Sequence, residues 1–226
     1  MNRSNHEATQ ATHPGRFEAV LFDLLTAVLD SWTLWNTVAG DVATGRRWRE
    51  EYLRLTYAAG AYRPYESLVA EAATRQGLDP ALAATLAEHW GELQPWPEAP
   101  AVLGELAAST RIGVVTNCSE HLGHLAAAQV GVPFEVITTA EAAGAYKPRP
   151  EPYQHALDAL GLPAARVLFV AGSRHDLPGA GNVGMPVWWH NRIGMPHEHH
   201  AAAPVAEHSS LSPLLGFLAD QAQPAN

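Results

Sequence analysis

One stretch constrains the chain more than any other: residues 17–30, with the sequence FEAVLFDLLTAVLD. Its apolar run, Ala19–Phe22, ends in the carboxylate of Asp23 and is followed by further apolar residues. A short, partly β-branched apolar run is typical of a strand buried on both faces of a parallel sheet. An ionised carboxylate there is costly unless it is paired or takes part in chemistry, and open α/β sheets bind ligands at the carboxyl ends of their strands. This stretch alone leaves two interpretations of Asp23: a nucleophile, or the cap of a following turn or helix.

The composition indicates a globular chain without a nucleic-acid or membrane surface. Of its 226 residues, 47% are hydrophobic and 16% are charged, enough for one core or for a core with a small second unit. The net charge is −9 without any block of Lys or Arg, which argues against binding to nucleic acid or to an anionic membrane. The single cysteine, Cys118, allows no disulfide within the chain. We therefore expect a cytoplasmic protein in which residues 1–16 form a disordered tail.

The first part of the chain after Asp23 is predicted to be helical. Apolar residues at helical spacing, prolines near helix starts and a glycine after a helix end predict helices over 45–59, 65–76 and 79–93. Asp79 is expected to cap the third of these helices. Because no strand is predicted in this region, residues 34–93 are interpreted as a helical insertion.

From residue 95 onward, apolar strands alternate with helices. The further strands are predicted over 111–116, 134–138, 167–171 and 187–189, followed by a loop over 193–209 and a closing helix over 210–221. Such alternation implies right-handed crossovers and a parallel sheet. The predicted architecture is therefore α/β: a Rossmann-like doubly wound parallel sheet core, residues 17–33 plus 94–226, with an inserted helical cap domain.

Polar side chains follow four of the predicted strands at the point where each strand ends. They are Asp23 after the first, Thr116 and Asn117 after the second, Lys147 in the loop beyond the third, and Ser173 and Asp176 after the fourth. Each has an ordinary explanation as a turn residue, a helix cap or a solvated lysine. Their coincidence at successive strand ends predicts an active site at one edge of the sheet.

The order and spacing of these residues resemble the four motifs of the haloacid dehalogenase superfamily. The corresponding segments are FDLLTAVLD at 22–30, VVTN at 114–117, YKPRPEPY at 146–153 and VAGSRHD at 170–176. Within the superfamily the chain is most similar to the L-2-haloacid dehalogenases, because it also contains Trp48-Arg49 and PVWWHNR at 186–192. The resemblance extends over residues 17–220.

The resemblance implies an ester mechanism on a small 2-haloacid. Asp23 would displace halide from C2 with inversion, and water would then hydrolyse the ester and release a 2-hydroxy acid. Lys147 would keep Asp23 ionised, and Asp176 would orient Lys147 and help to position water. The expected partner is thus a small carboxylic acid, with no nucleic acid and no membrane, and a homodimer is left open.

The resemblance also assigns residues that bind the substrate. They are Arg49, Thr116, Asn117, Tyr153, Ser173 and Leu25. Arg49 is expected to bind the leaving halide or the carboxylate, and a solvated position on the helix face is the alternative, because Arg46, Arg47 and Arg54 lie nearby. Thr116 is expected to bind the carboxylate together with the N–H groups at the start of helix 120–129. Tyr153 matches the tyrosine of the family but fits a position in the core equally well.

Two positions argue against a metal ion. The phosphatase branch of the superfamily has a second Asp two residues after the nucleophile, where this chain has Leu25, and an acidic Mg²⁺ ligand in the fourth motif, where it has Gly172. Asp23 and Asp176 alone make a poor octahedral site, so we predict a reaction without metal or cofactor. Two alternatives remain: a Mg²⁺-dependent small-molecule phosphatase with carbonyl and water ligands in place of the missing Asp, and a catalytically silent binding protein on this scaffold.

The motifs also depart from the dehalogenase pattern. The Gly-Thr pair of the family reads Thr26-Ala27, so a hydroxyl near the nucleophile is expected to be moved or lost, and its aromatic residue two positions after the nucleophile is Leu25. In the fourth motif its Ser and Asn are replaced by Ala171 and Ser173.

Some polar residues receive no catalytic role. Arg174 and His175 remain unassigned. Cys118 is expected to be a small buried residue rather than a nucleophile. The histidines of the Pro/Ala-rich loop, His197, His199 and His200, are expected to be solvated rather than to bind a metal.

Overall fold

The computed structural model describes residues 17–196 and 203–221. The predicted tail over residues 1–16 lies outside the described residues, and so do His197, His199 and His200. None of the helices in the described part of the chain combines the length and the apolarity that a membrane crossing requires.

Among the described residues, six parallel strands form one central sheet. They are β1 (Ala19–Asp23), β2 (Arg111–Thr116), β3 (Val136–Thr139), β4 (Val167–Ala171), β5 (Val187–His190) and β6 (Ala206–His208). Their order is β3-β2-β1-β4-β5-β6, and every neighbouring pair is parallel. The order reverses on either side of β1, and such a switch point creates the crevice in which α/β sheets bind ligands. The predicted doubly wound α/β core is confirmed, with Asp23 at its switch point.

Successive residues of β1 belong to two different cores because side chains alternate across a sheet. Val20 and Phe22 pack into one apolar cluster, and Ala19 and Leu21 pack into the other. The first cluster also contains residues of α5 (Ala99–Ala107), α6 (Glu120–Ala128) and α10 (Pro213–Gln221), together with apolar residues between positions 34 and 93. The second also contains residues of α8 (Pro150–Leu160) and α9 (Asp176–Asn182). The short helix α7 (Ala140–Ala143) follows β3 directly. Coverage on both faces explains why β1 is apolar throughout until its last residue.

Four helices between β1 and β2 form the inserted cap. They are α1 (Ser31–Ala39), α2 (Val42–Ala58), α3 (Tyr65–Arg75) and α4 (Leu82–Glu88). The chain leaves and re-enters the core through two linkers that pair with each other, since Leu29 and Pro95 form an antiparallel bridge and the N–H of Asp30 donates to the carbonyl of Gln94 at 2.8 Å. The predicted domain boundaries at residues 34 and 93 lie close to these linkers and stay a prediction.

Two local predictions are wrong. The helix predicted over 79–93 is divided into α4 and a 3₁₀ turn at Trp90–Glu92, and Asp79 initiates a turn by accepting the N–H of Ala81 at 2.9 Å instead of capping a helix. The loop predicted over 193–209 contains β6, which pairs with β5 at the edge of the sheet. Glu207 and His208 in β6 are exposed, so an apolar pattern could not mark this strand.

Gly113 in β2 tests the close packing of the sheet. A Cβ atom at this position would lie 2.8 Å from the carbonyl oxygen of Val136 and 2.9 Å from a methyl carbon of Leu21. We expect Gly113→Ala to lower the free energy of unfolding, measured with urea, by about 1–3 kcal/mol because strand backbone would have to shift. The matched control is Gly104→Ala in α5, which is exposed with no atom within 4 Å, and which should raise the stability by about 0.5–1 kcal/mol. A loss of equal size in both variants would contradict this account of the packing.

Candidate active site

Asp23 ends β1 and also caps the turn that follows it. Residues Leu24–Val28 form a single π-helical turn. The Oδ2 atom of Asp23 accepts hydrogen bonds from the N–H of Thr26 at 3.1 Å, from the N–H of Ala27 at 3.3 Å and from the Thr26 hydroxyl. The capping interpretation of Asp23 is therefore correct, and it leaves the other carboxylate oxygen, Oδ1, for a different role.

Lys147 is the only lysine of the chain, and it lies between two buried carboxylates. Its Nζ atom is 2.8 Å from Oδ1 of Asp23 and 3.2 Å from Oδ1 of Asp176. Tyr153 donates its hydroxyl to the same Asp176 oxygen at 2.7 Å. Charge-assisted hydrogen bonds of this kind are short and directional, so they fix the relative positions of these four groups.

Burial and ion pairing oppose each other in this cluster. Burial raises the pKa of Asp23, but the charge and hydrogen bond of Lys147, the bond from Thr26 and the charge of Arg49 outweigh it and hold that pKa below its ordinary value. For Asp176, burial and the negative charge of Asp23 prevail over Lys147, so its pKa is raised. Burial lowers the pKa of Lys147, but the charges of Asp176 and Asp23 outweigh it and raise that pKa. Asp23 is therefore the ionised nucleophile candidate, and Asp176 is the stronger base of the two carboxylates.

Asn117 positions the backbone of Lys147. The N–H of Lys147 donates to Oδ1 of Asn117 at 2.7 Å, and Nδ2 of Asn117 donates to the carbonyl of Lys147 at 3.1 Å. The carbonyl of Asn117 in turn accepts the hydroxyl of Tyr52 from the cap at 2.9 Å. These two hydrogen bonds from one side chain fix the backbone of Lys147. The Asn that follows β2 thus orients the lysine in the loop beyond β3.

Arg49 reaches the site from α2 of the cap. It is only 5% exposed, and its guanidinium carbon lies 3.8 Å from the ring centroid of Trp32. Within the described residues its Nη1 atom has no hydrogen-bond partner. The neighbouring Arg46, Arg47 and Arg54 are exposed. A buried cation with an unpaired donor is suited to an anionic ligand, because guanidinium groups remain charged inside proteins.

A cavity of about 50 Å³ lies between the cap and these carboxylates. Seven of the nine residues predicted for the site line it: Asp23, Leu25, Arg49, Asn117, Lys147, Ser173 and Asp176. The parallel sheet brings the strand-end residues together, and the cap contributes Arg49.

Thr116 and Tyr153, both predicted to bind substrate, lie outside the cavity lining. The hydroxyl of Thr116 contacts the thiol of Cys118 at 3.4 Å, and Tyr153 lies behind Asp176, where it is fully buried. Tyr153 therefore contacts Asp176, and its contact with substrate stays a prediction, as does that of Thr116. Cys118 is buried, and burial raises the pKa of its thiol to about 12, so the thiol is not an available nucleophile.

Sequence reasoning missed an aromatic wall of the cavity. Trp32, Tyr52 and Tyr57 line it from the cap, and the Tyr57 ring lies 4.7 Å from the ring of His175. His175, unassigned from the sequence, is therefore a wall residue. The cap aromatics carry no sequence signal that separates lining residues from core residues, because the face each helix turns toward the core depends on the tertiary structure.

Thr26, where the chain departs from the dehalogenase pattern, packs against Gly172, where it differs from the phosphatase branch. The hydroxyl that was expected to be moved or lost is present, because Thr26 donates to Asp23. A Cβ atom at position 172 would overlap the N atom of Ala27 and the hydroxyl oxygen of Thr26. The missing side chain at Gly172 therefore makes room for the turn that carries the hydroxyl.

The residues present do not fit Mg²⁺. An acidic side chain at position 172 would collide with the turn, and the ammonium of Lys147 lies between the two remaining carboxylates. The described residues contain no group of three or more His, Cys, Asp or Glu side chains arranged to hold a metal ion. A near-octahedral set of oxygen ligands is therefore missing at this edge of the sheet.

The only lysine of the chain permits a direct test of the charge cluster. With ¹⁵N-lysine labelling, NMR should detect one side-chain ammonium, and its pKa should lie above the ordinary lysine value of 10.5. Asp23→Asn removes one of the two charges that raise this pKa, so the pKa should fall. Asp158→Asn removes an exposed carboxylate on α8 and should leave the pKa unchanged. An identical titration in Asp23→Asn and wild type would contradict the pairing.

Comparison with known proteins agrees with this geometry. A family model described as haloacid dehalogenase-like hydrolase matches residues 18–184. The (S)-2-haloacid dehalogenase H-109 of Pseudomonas putida is 27% identical over 90% of this chain and 98% of that protein. Haloacetate dehalogenase H-2 of Moraxella sp. (strain B) is 30% identical over 70% of this chain and 75% of that protein.

A solved structure shows the same fold. It is the L-2-haloacid dehalogenase from Xanthobacter autotrophicus with chloropropionic acid covalently bound, which superimposes with a TM-score of 0.82 at 22% identity, over 90% of this chain and 98% of that one. The family model spans well over half of the sequence. The chain therefore belongs to the haloacid dehalogenase-like hydrolases.

Proposed function

We propose that the protein is a metal-independent hydrolase that removes halide from a small 2-haloacid through an ester of Asp23. One observation carries the proposal: a buried, ionised carboxylate faces a small cavity, with one oxygen held by three donors and the other paired with Lys147. The relatives named (S)-2-haloacid dehalogenase and haloacetate dehalogenase support the substrate class.

In the first step, Oδ1 of Asp23 attacks the carbon that bears the halogen. Oδ2 already accepts three hydrogen bonds, which leaves Oδ1 as the available nucleophilic oxygen. A carbon–oxygen bond forms, the carbon–halogen bond breaks, and the electron pair leaves with the halide. The unpaired Nη1 donor of Arg49 is suited to bind the halide or the substrate carboxylate.

In the second step, water attacks the carboxyl carbon of the ester. Asp176 accepts the proton of this water, since its raised pKa makes it the better base. Negative charge develops on Oδ2, where the N–H groups of Thr26 and Ala27 and the Thr26 hydroxyl stabilise it. Collapse of this intermediate breaks the bond between the carboxyl carbon and Oδ1 and releases the 2-hydroxy acid, whose alkoxide oxygen takes the proton from Asp176. The second proton of the water remains on the Asp23 carboxyl group, and its loss to solvent restores the Asp23 carboxylate.

The cavity favours a small substrate. Its volume of about 50 Å³ and its wall of Leu25, Trp32 and Tyr57 leave room for a short acid rather than for a long chain. One chain carries every group that the two steps require, so the reaction needs no second copy. A cytoplasmic location and cap boundaries at residues 34 and 93 are part of the proposal, and the single cysteine and the paired linkers support them.

Halide release in the presence of EDTA tests the proposal. We expect release from one enantiomer of 2-chloro- or 2-bromopropionate, or from a haloacetate, and loss of turnover in Asp23→Asn because an amide is a poor nucleophile. In a single turnover in H₂¹⁸O, the label should enter Asp23 rather than the product, as mass spectrometry of the Asp23 peptide will show.

The control is Asp158→Asn, which should retain wild-type activity. Label in the product after a single turnover would contradict the ester. If no haloacid of the panel releases halide, and small phosphomonoesters release phosphate when Mg²⁺ is present, the phosphatase alternative would be favoured instead. The absence of turnover in both assays would favour the third alternative, a catalytically silent binding protein on this scaffold.

Tyr153→Phe tests the assignment of Asp176 as the base. Burial raises the pKa of Asp176, and the hydrogen bond from Tyr153 lowers it, so removal of that bond should raise the pKa further. Because Asp176 must be ionised to accept a proton, the acid limb of the kcat–pH profile should move to higher pH. Tyr146→Phe is the matched control, since the buried Tyr146 donates to the carbonyl of Arg63 at 2.7 Å instead. An acid limb that stays in place in Tyr153→Phe would remove Asp176 as the base.

A further inference from the structure

All five carbonyl oxygens of the π-helical turn after Asp23 accept hydrogen bonds. The donors are the N–H of Leu29 to Leu24 at 2.9 Å, the hydroxyl of Ser31 to Leu25, the indole N–H of Trp96 to Thr26 at 3.0 Å, the imidazole of His190 to Ala27 at 2.8 Å, and the N–H of Trp96 to Val28 at 2.9 Å. Three of these donors are side chains from separate segments: the start of α1, the linker that returns from the cap, and the end of β5.

We propose that Ser31, Trp96 and His190, which we call the carbonyl clamp, are positioning residues for hydrolysis of the ester. They hold the peptide groups of the turn so that the N–H groups of Thr26 and Ala27 point at Oδ2 of Asp23. The inference rests on the proposed function, because Oδ2 needs these donors most when it becomes an oxyanion.

The rigidity of the peptide group connects the clamp to these donors. The carbonyl of Leu25 and the N–H of Thr26 belong to one planar peptide group, and the carbonyl of Thr26 and the N–H of Ala27 belong to the next. When Ser31 binds the first carbonyl and Trp96 binds the second, the direction of each N–H is set from its opposite end. His190 fixes the following peptide group at Ala27. A hydrogen bond to a carbonyl also polarises the N–H of the same peptide group and strengthens it as a donor.

The turn cannot hold this geometry alone. A single π-helical turn closes only one bond within itself, from Leu29 to Leu24, so its other carbonyls require partners outside the turn. Thr26 is 8% exposed and Ala27 is fully buried, which limits the access of water to these carbonyls. On the opposite side, Gly172 lets the backbone of the turn pack directly against the loop after β4. The turn is thus held between close backbone packing and three side-chain donors.

Trp96 and His190 are themselves oriented. The guanidinium of Arg192 lies 4.7 Å from the Trp96 ring centroid and pairs with Glu98 at 2.9 Å. His190 is fully buried, and because a carbonyl oxygen only accepts, its Nδ1 atom must carry the proton. Burial lowers the pKa of His190, which favours the neutral ring with this single donor.

Trp96→Phe is the sharpest variant, because it removes the indole donor and keeps an aromatic ring. We expect the hydrolysis step to slow by about tenfold or more, while halide release in the first turnover changes by less than about threefold. The ester on Asp23 should then accumulate, visible as a burst of halide and as a covalent adduct in the mass spectrum. Ser31→Ala should behave in the same way.

Two controls separate positioning from general stability. Trp90→Phe also removes a bond from an indole N–H to a backbone carbonyl, that of Leu122 at 2.9 Å, and should not accumulate the ester. His190→Leu should accumulate it, and His190→Asn, whose amide places a donor near the Nδ1 position, should restore hydrolysis. Equal slowing of both steps in Trp96→Phe, or accumulation of the ester in Trp90→Phe, would overturn the inference.

A measurement without substrate distinguishes failure of the clamp from failure of the proposed function. The Asp23 carboxyl carbon is titrated by ¹³C NMR, and weaker bonds at Oδ2 in Trp96→Phe should raise the pKa of Asp23 relative to wild type and Trp90→Phe. If the wild type releases no halide but this pKa rises, the 2-haloacid function fails and the clamp stands. If halide is released but the pKa and the ester level are unchanged, the clamp fails and the function stands.

Discussion

The ammonium of Lys147 between Asp23 and Asp176 is the interaction on which the site depends. Two buried carboxylates this close repel each other and lose their hydration, so a cation must lie between them. Here the only lysine of the chain supplies this cation. Its effect on the two carboxylates is unequal: the pKa of Asp23 is lowered and that of Asp176 is raised. In the proposed function, this buried cluster thereby separates the nucleophile Asp23 from the base Asp176.

The sequence predicts which strand ends form this site, but it does not predict the directions of the individual side chains. The strand ends were predictable because parallel strands buried on both faces are continuous apolar runs, and a polar residue at their end, such as Asp23, stands out. The direction in which a side chain points at the end of a strand was not predictable. Thr116 turns toward Cys118, whereas the adjacent Asn117 lines the cavity. The edge strand β6 escaped prediction because it is short and exposed.

The sequence reveals that Thr26 differs from the dehalogenase pattern and that Gly172 differs from the phosphatase branch, but it does not reveal that the two positions are in contact. Thr26 places a hydroxyl on Asp23 from the middle of the turn, and the turn needs the space that Gly172 leaves. Each residue looks like a loss when it is considered alone. Together they preserve the donors at Oδ2 and exclude an acidic ligand from the position where a metal site would need one. The distance between positions 26 and 172 in the chain conceals this relation from any local pattern.

In the proposed reaction, the charges of Lys147 and Asp23 explain the role of a second cation, Arg49 of the cap. Before the attack, Lys147 faces the charge of Asp23, and Arg49 lines the cavity with an Nη1 donor that no other described residue binds. As the ester forms, Asp23 becomes neutral and its negative charge appears on the departing halide. A cation that interacts more strongly with this developing anion than with the neutral carbon–halogen bond lowers the barrier, whereas equal binding of both would not. Trp32 holds Arg49 in place through its ring, so that no reorganisation is needed at that moment. In this proposal the cap therefore takes part in the chemistry through Arg49.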